Sequence, residues 1–516
     1  MNKTVLCIID GLGENPSDFG NAVRAAGMKN LEHARANFPA TLIKASGTEV
    51  GLADEKDPGN SEVGHNTIGS GQNIQQGLAL LNKACESGEV FETDTWEKLA
   101  ANAKKTKLNV INLLSDGRLH SDIYKQLFRV IEKCAAEKIK LAIHALVDGR
   151  DVPTQSAMKY INDTREHIKK CGADARIATV AGRAVLWMDR YENMPSILAD
   201  GVRVCALGEA PVVTDIAAAL DAEYRERPDM TDETMPAFVL EPEWLINNGD
   251  SVLLLNYRGD RAVQICELFE NGKYLNTHRK AAVDRCLFAG ALQYDAEKVL
   301  PKNFLCPPPI IKNTLSEWLC TKLVRQYTVT ETVKFGHMTY FFNGNRFEPF
   351  DSRFETRREF ESDVCANMYN QRPEMQAAKI TDDAIANLER YDFIKLNLPN
   401  PDMVGHTADF DATVRACKTV DDCLGKLIAA CERAGANLII TSDHGNAEFM
   451  KYDDGKPRSS HTNSPVPFVV LPFAKAGKTD AVKIKPGEFG LSNIAATICA
   501  LLGVAVCPQF NEGIIY

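Results

Sequence analysis

No run of this sequence is apolar for long enough to cross a membrane, and the short run Val5 to Ile9, closed by Asp10, falls short of a signal h-region as well. A cytoplasmic protein with no membrane partner is expected. Polybasic runs are absent too, and Asp and Glu outnumber Lys and Arg by 69 to 59, for a net charge of −10. A phosphate backbone needs clustered Lys and Arg, so no nucleic-acid partner is expected. There is no Cys-x-x-Cys pair: the 15 cysteines, an odd number, are scattered singly from Cys7 to Cys507. They read as reduced small hydrophobes rather than as a disulfide or zinc framework. Neither Gly-x-Gly-x-x-Gly nor Gly-x-x-x-x-Gly-Lys-Ser/Thr follows any apolar run, which removes dehydrogenases and nucleotide-binding proteins. Internal repeats and low-complexity tracts are missing as well.

What is present is a set of acids and histidines at the ends of apolar runs. Val5 to Ile9 ends in Asp10-Gly11, the run containing Phe393, Ile394, Leu396 and Leu398 leads to Asp402 and His406, and Leu438 to Thr441 leads to Asp443-His444. Ligands of open α/β sheets gather at the carboxyl ends of strands, so three strands that deliver Asp or Asp-His predict one site. Gly405 is expected to bend the backbone between Asp402 and His406. His461 follows Ser459-Ser460 in a polar loop before the apolar run Val466 to Leu471. Near the front stands Asn60-Ser61-Glu62-Val63-Gly64-His65, which supplies a hydroxyl. Serine is a weak nucleophile until a base or a metal activates it. Mixed carboxylate and imidazole donors suit Mn²⁺, Zn²⁺, Co²⁺ or Mg²⁺, and these residues suffice for two ions. Such a pair would clamp the oxygens of a transferring phosphoryl group.

With 516 residues, 45% of them hydrophobic, the chain should form two or more domains. Ser61 lies near one end and its partners beyond residue 400, so one domain must be built from both ends with the middle inserted. The helical stretch after Gly77 marks the entry, and Cys306-Pro307-Pro308-Pro309-Ile310, a stiff spacer, marks the exit. Within the insertion, apolar runs at Leu108 to Ser115, Leu141 to Val147, Ile177 to Val180 and Ser251 to Asn256 predict a second parallel α/β sheet. Arginines follow those runs: Arg118 and His120, Arg150-Asp151, Arg183 with Arg190 beyond it, and Arg258-Gly259-Asp260-Arg261. The guanidinium fork matches phosphate and carboxylate oxygens, so the set predicts a small, multiply anionic substrate. The stretch Asp411 to Ala434 has core residues at helical spacing and a Gly435 stop.

Gly59 to His65, Asn400 to His406 and Ser442 to Asn446 together resemble the phosphoserine and metal motifs of the cofactor-independent phosphoglycerate mutases, members of the alkaline phosphatase superfamily. The resemblance runs nearly end to end. It implies an alkaline-phosphatase-like α/β metal domain at 1–76 and 311–516, a substrate-binding α/β domain at 77–306, and hinges near 75–78 and 306–311. It further implies one ion on Asp402, His406 and His461 and another on Asp10, Ser61, Asp443 and His444, with Mn²⁺ ahead of Mg²⁺ and Co²⁺. Substrate contacts are implied for His120, Arg150, Asp151, Arg183, Arg190, Arg258, Arg261 and Lys334, and acid/base work for Asp151. The implied activity is interconversion of 3-phosphoglycerate and 2-phosphoglycerate through a phosphoserine, in a monomer that needs no 2,3-bisphosphoglycerate. The chain departs from the family pattern at Gly259, where proline is usual, at Ala184-Val185, at Tyr191-Glu192-Asn193 and at Arg118. A phosphopentomutase, phosphatase or sulfatase of the same superfamily would share the metal ligands but not the arginine-rich insertion. A non-catalytic scaffold would have lost a ligand or Ser61, and all are present.

Overall fold

The computed structural model describes residues 2–516 apart from 53, 76, 118–119, 189–193, 258–260, 296–298, 308–310, 363–368, 453–454 and 475–481. Fourteen strands are found among the described residues: β1 Thr4–Ile9, β2 Ala40–Ile43, β3 Leu108–Leu114, β4 Leu141–Val147, β5 Ala175–Gly182, β6 Phe238–Val239, β7 Ser251–Leu255, β8 Leu287–Leu292, β9 Phe304–Cys306, β10 Gln326–Glu331, β11 Glu355–Phe360, β12 Phe393–Leu398, β13 Asn437–Thr441 and β14 Val466–Leu471. They form two sheets, each in its own compact unit, the first made of Met1–Gln75 with Pro309–Tyr516 and the second of Gln76–Pro308.

The first sheet runs β11-β10-β12-β1-β13-β14-β2, with β1, β10, β11, β12 and β13 parallel, β14 antiparallel to β13, and β2 antiparallel to β14 at the edge. Its central strands are apolar on both faces because both faces are covered. Val5, Cys7 and Ile9 pack with the long helix Phe410–Ala434, while Leu6 and Ile8 face a second core that includes residues of helices Ser61–Ser70 and Ile494–Leu502. The helix anticipated over 411–434 thus begins one residue earlier, where the Asp409 side chain accepts from the Ala412 amide.

The second sheet runs β6-β5-β4-β3-β7-β8-β9. It is parallel except for the two-residue edge strand β6, which lies antiparallel to β5. The expected second parallel α/β sheet is present, with β6 as its antiparallel edge strand. Three of its strands, β6, β8 and β9, were not anticipated: β6 and β9 are too short to show a period, and β8 reads as a generic small-residue run. Helices Leu127–Glu137 and Ala157–Cys171 cover one face, and Ser196–Cys205 and Val263–Asn271 the other. All the cysteines among the described residues are free, most of them buried, as their scatter suggested. No helix of the described residues is long and apolar enough to cross a membrane.

Candidate active site

Four strands of the first sheet deliver their polar cargo to one edge. Asp10 follows β1 directly, β13 leads to Asp443 and His444, β12 leads to the short helix Asn400–Gly405 with Asp402 in it, and β10 leads to the short helix Thr332–Gly336 that carries Lys334. The loop with His461 is held against Gly445 by a bridge through Thr462. Gly405 makes no bend. It sits in a regular helix that places Asp402 and His406 one turn apart, and its missing side chain is explained by Asn446, whose Oδ1 a Cβ would meet at 2.8 Å.

The motif around Ser61 also has a local physical reading. Ser61 is the first residue of helix Ser61–Ser70, and the Asn60 side chain caps that helix by accepting from the Val63 amide at 3.1 Å. The hydroxyl thus stands where free N–H groups and the helix dipole favour negative charge. Gly64 is required by close approach, since a Cβ there would lie 2.6 Å from the Asp443 carbonyl oxygen. His65, one turn after Ser61, donates through Nδ1 to the Ser61 carbonyl at 2.9 Å and accepts through Nε2 from Asn397 at 3.1 Å. Both ring nitrogens are committed, so His65 holds the turn in place although it lies among Asp10 and Asp443.

Around the hydroxyl, Ser61 Oγ lies 3.0 Å from His444 Nε2 and 3.3 Å from Asp10 Oδ1. His444 Nε2 is 3.4 Å from both Asp10 Oδ1 and Asp443 Oδ2. A second group converges beside it: His406 Nε2 and His461 Nε2 are 2.9 Å apart, and each is 3.3 Å from Asp402 Oδ1. Nδ1 of His406 donates to the Ser459 carbonyl at 2.7 Å, and that of His444 to the Gly445 carbonyl at 3.2 Å, which leaves both Nε2 atoms facing the carboxylates. Metal-bound histidines are oriented in this way. The division between the groups is not sharp, because the His444 and His461 rings lie 4.1 Å apart and Asp402, His444 and His461 also converge.

Lys334 stands in the middle, buried, with Nζ 2.9 Å from Asp10 Oδ1, 2.8 Å from Asp402 Oδ2 and in a short contact with Ser61 Oγ. Burial opposes its charge, but Asp10, Asp402 and Asp443 outweigh burial and raise its pKa, so it acts as a fixed ammonium. Burial works against the carboxylate charges in turn, yet Lys334 and His406 hold Asp402 well below the usual range, and His444 and His65 hold Asp443 low. For His444, too, burial is the largest effect and is overcome by Asp443 and Asp402, which lift it to about 9. His461 goes the other way, to about 4, through burial and then through its neighbour His444. Three buried carboxylates face one ammonium, and the rise of His444 shows that its side of the site favours further positive charge. That surplus, with oxygen and imidazole donors oriented inward, fits hard or borderline divalent cations.

Several supporting residues carry no signal in the sequence. Asn397, inside β12, donates to Asp10 Oδ2 at 2.8 Å, and Asn446 donates to Asp402 Oδ1 at 2.8 Å. Glu448 accepts from the amides of Gly13 at 3.1 Å and Asn446 at 2.8 Å, and from the Thr462 hydroxyl in a short contact, tying three site loops together. Only the Ser442 to Asn446 motif could have pointed to Asn446.

At the strand ends of the second sheet, Arg183 is buried and its Nη1 pairs with Asp148 at 2.7 Å and Asp151 at 2.5 Å, while Nη2 donates to His120 Nε2 at 2.7 Å. An arginine only donates, so Nε2 of His120 is the acceptor. Asp148 also accepts from the Ser115 hydroxyl at 2.6 Å. The partner of Asp151 is therefore Arg183 and not its neighbour Arg150, which is 61% exposed and lies 3.9 Å from Glu233. Arg261 donates to the Met188 carbonyl at 2.5 Å. The structure thus brings His120, Asp151 and Arg183 together and leaves Arg150 outside their contacts. Arg118, Arg190, Arg258 and Gly259 lie outside the described residues.

The family model described as the Metalloenzyme superfamily matches residues 2–506. A probable 2,3-bisphosphoglycerate-independent phosphoglycerate mutase of Leptospira interrogans is 36% identical over 99% of this chain and 97% of its own. The 2,3-bisphosphoglycerate-independent phosphoglycerate mutase of Trypanosoma brucei brucei is also 36% identical, over 99% and 97% of the two chains. Among solved structures, Leishmania mexicana phosphoglycerate mutase, determined at low cobalt concentration, superimposes with a TM-score of 0.75 at 35% identity, covering 100% of this chain and 98% of that one. Sequence, fold and site agree: the chain belongs to the 2,3-bisphosphoglycerate-independent phosphoglycerate mutases, isomerases of the Metalloenzyme superfamily that interconvert 3-phosphoglycerate and 2-phosphoglycerate.

Proposed function

We propose that this chain carries out that interconversion as an intramolecular phosphotransferase, with Ser61 carrying the phosphoryl group between the two hydroxyls of glycerate. The observation that carries the reading is the convergence of Lys334, His444 and Asp10 on the Ser61 hydroxyl at a helix start. Asp402, His406 and His461 would hold one divalent ion, and Asp10, Ser61, Asp443 and His444 a second, with Mn²⁺ favoured over Mg²⁺ or Co²⁺. When bound, such ions supply positive charge that lowers the serine pKa and neutralises the transferring group.

Ser61 passes its proton to solvent and its Oγ attacks phosphorus, forming the serine ester as the bond between phosphorus and the substrate's C3 oxygen breaks and that oxygen takes a proton from Asp151. The Lys334 ammonium and the helix N-terminus stabilise the charge that develops on Oγ, and the same N-terminus suits a phosphoserine. In the second half, the 2-hydroxyl loses its proton, attacks the phosphoserine and frees Ser61. We assign retention of glycerate to the second unit through Arg150, Arg183, Arg190, Arg258, Arg261 and His120, and proton transfer at the substrate hydroxyls to Asp151. It would give a proton to the C3 oxygen in the first half and take one from the 2-hydroxyl in the second, held in place by its contact with Arg183. Substrate phosphate is also assigned to Lys334. The first unit, 1–76 with 311–516, would be the metal-binding domain, and 77–306 the substrate-binding domain, with the hinges placed near 75–78 and 306–311. The same reading makes the protein a monomeric cytoplasmic enzyme without membrane or nucleic-acid partners, and the acidic charge balance supports the last of these.

The test is conversion of 3-phosphoglycerate by Mn²⁺-loaded protein, coupled to enolase, without added 2,3-bisphosphoglycerate and with inorganic phosphate followed in parallel. Product without primer, lost in Ser61→Ala and with a chelator, supports the relay. Phosphate release in place of 2-phosphoglycerate would make the chain a hydrolase.

A further inference from the structure

On one face of the second sheet, helices Leu127–Glu137 and Ala157–Cys171 bring together Glu132, His167 and Cys171, all partly buried. His167 Nε2 lies 3.2 Å from Glu132 Oε1 and 3.4 Å from Cys171 Sγ, and the three donor atoms are within 4.8 Å of one another. His167 and Cys171 are one helical turn apart, so helix geometry alone aims them at the same place. The imidazole is fixed by a stacked Phe128, with ring centroids 3.9 Å apart and planes 12° from parallel. The other carboxylate oxygen of Glu132 accepts from Arg129 at 2.7 Å, which turns Oε1 toward the histidine.

A single ring nitrogen can serve only one of its two neighbours as a good hydrogen-bond partner, yet both crowd the same Nε2. A shared cation accounts for both. With ligand bonds of about 2.0 Å to nitrogen and oxygen and about 2.3 Å to sulfur, tetrahedral zinc spaces its N and O ligands by about 3.3 Å and its N and S ligands by about 3.6 Å. The observed 3.2 Å and 3.4 Å are within about 0.2 Å of those edges. A surface hollow of about 460 Å³ lined by Tyr124, Phe128, Asp163, Glu166, His167 and Lys170 lies on the histidine's side of the cluster.

We propose that Glu132, His167 and Cys171 form a further divalent transition-metal site, of zinc type, that staples two helices of the second unit and is separate from the Ser61 site in donor chemistry. Thiolate with imidazole and carboxylate selects zinc-like ions over Mg²⁺ or Ca²⁺, whereas no cysteine belongs to the ligand set assigned around Ser61. Binding displaces the Cys171 thiol proton, which burial and then Glu132 otherwise retain by raising its pKa. The site is stabilising, so catalysis should not depend on it.

The missing thiol at Ser61 makes the test selective. Cobalt added in excess to the whole, reduced protein should produce a thiolate-to-cobalt charge-transfer band in the near ultraviolet. That band should vanish in Cys171→Ser, and in His167→Gln the cobalt concentration needed should rise at least about ten-fold. Phosphoglycerate conversion should be unchanged in both variants. Zinc should bleach the band in wild type, because zinc outcompetes cobalt at such donors. No band with cobalt in excess, a band that survives Cys171→Ser, or a band that zinc cannot displace would overturn the proposal.

Discussion

Two strand-end clusters in this chain start from the same architecture and reach opposite chemistry. In the first sheet Asp10 follows β1 directly, and in the second Asp148 follows β4 directly. Each acid is answered by a buried cation, Lys334 for Asp10 and Arg183 for Asp148. The lysine is a point charge shared by two carboxylates and the serine, in a site with three carboxylates, so that cluster still favours cations. The arginine fork is divided among Asp148, Asp151 and His120, and exposed Arg150 beside it is disposed to meet an anion. Strand ends set where ligands go, and the cation chosen there sets which ligands.

Replacing the group at the centre of the first cluster should have the largest effect. Ser61→Ala is expected to lower kcat by at least about 10⁴-fold with the fold intact, measured by the enolase-coupled assay and circular dichroism. Next, Lys334→Met leaves buried carboxylates without their ammonium. It should cost the metal-free protein about 3–5 kcal/mol, read from denaturant unfolding, and Mn²⁺ should restore more of that loss in the variant than it adds to wild type. Equal Mn²⁺ effects would break the contrast, since the first cluster would then not be short of positive charge.

The second cluster should respond in rate more than in stability. Asp151→Asn is expected to lower kcat by about 10²–10⁴-fold with KM nearly unchanged, as loss of a proton acceptor requires. Retained mutase activity would remove the acid/base assignment. Arg150→Ala should raise KM about ten-fold and leave kcat alone, as loss of one charged contact to an anion would.

The smallest effect concerns a lysine that serves neither cluster. Lys395, buried in β12 over the Phe342 ring, is brought by burial from the usual 10.5 down to about 7, although Glu355 opposes the shift. Between about pH 7 and 10.5 the unfolded chain therefore binds a proton that the folded one lacks, so stability rises with pH there, by up to about 1.4 kcal/mol per unit. Below pH 7 the cost of the buried charge is fully present. Lys395→Met should flatten that rise in denaturant midpoints from pH 7 to 10.

The acids and histidines of the first cluster were legible because residue type and strand-end position coincide at Asp10, Asp402, Asp443 and His444. Asn397, Lys395 and Glu448 were not, because a polar residue within or after a strand reads as its solvent-facing side, and only the packed layer above shows it buried. Gly405 was misread as a bend because a glycine needed for contact with Asn446 looks, in sequence, like one needed for a turn. The pairing of Asp151 with Arg183 was hidden for another reason: β4 and β5 must lie side by side before the two can meet.

The central claim is that Ser61 carries the phosphoryl group, and the most direct measurement is to trap it. Mn²⁺-loaded enzyme quenched in acid during turnover of 3-phosphoglycerate should show a fraction of chains heavier by one phosphoryl group, mapped to Ser61 by peptide mass spectrometry and absent in Ser61→Ala. Turnover without any phosphorylated protein under conditions that slow the second transfer, or a phosphoryl group on another residue, would contradict it.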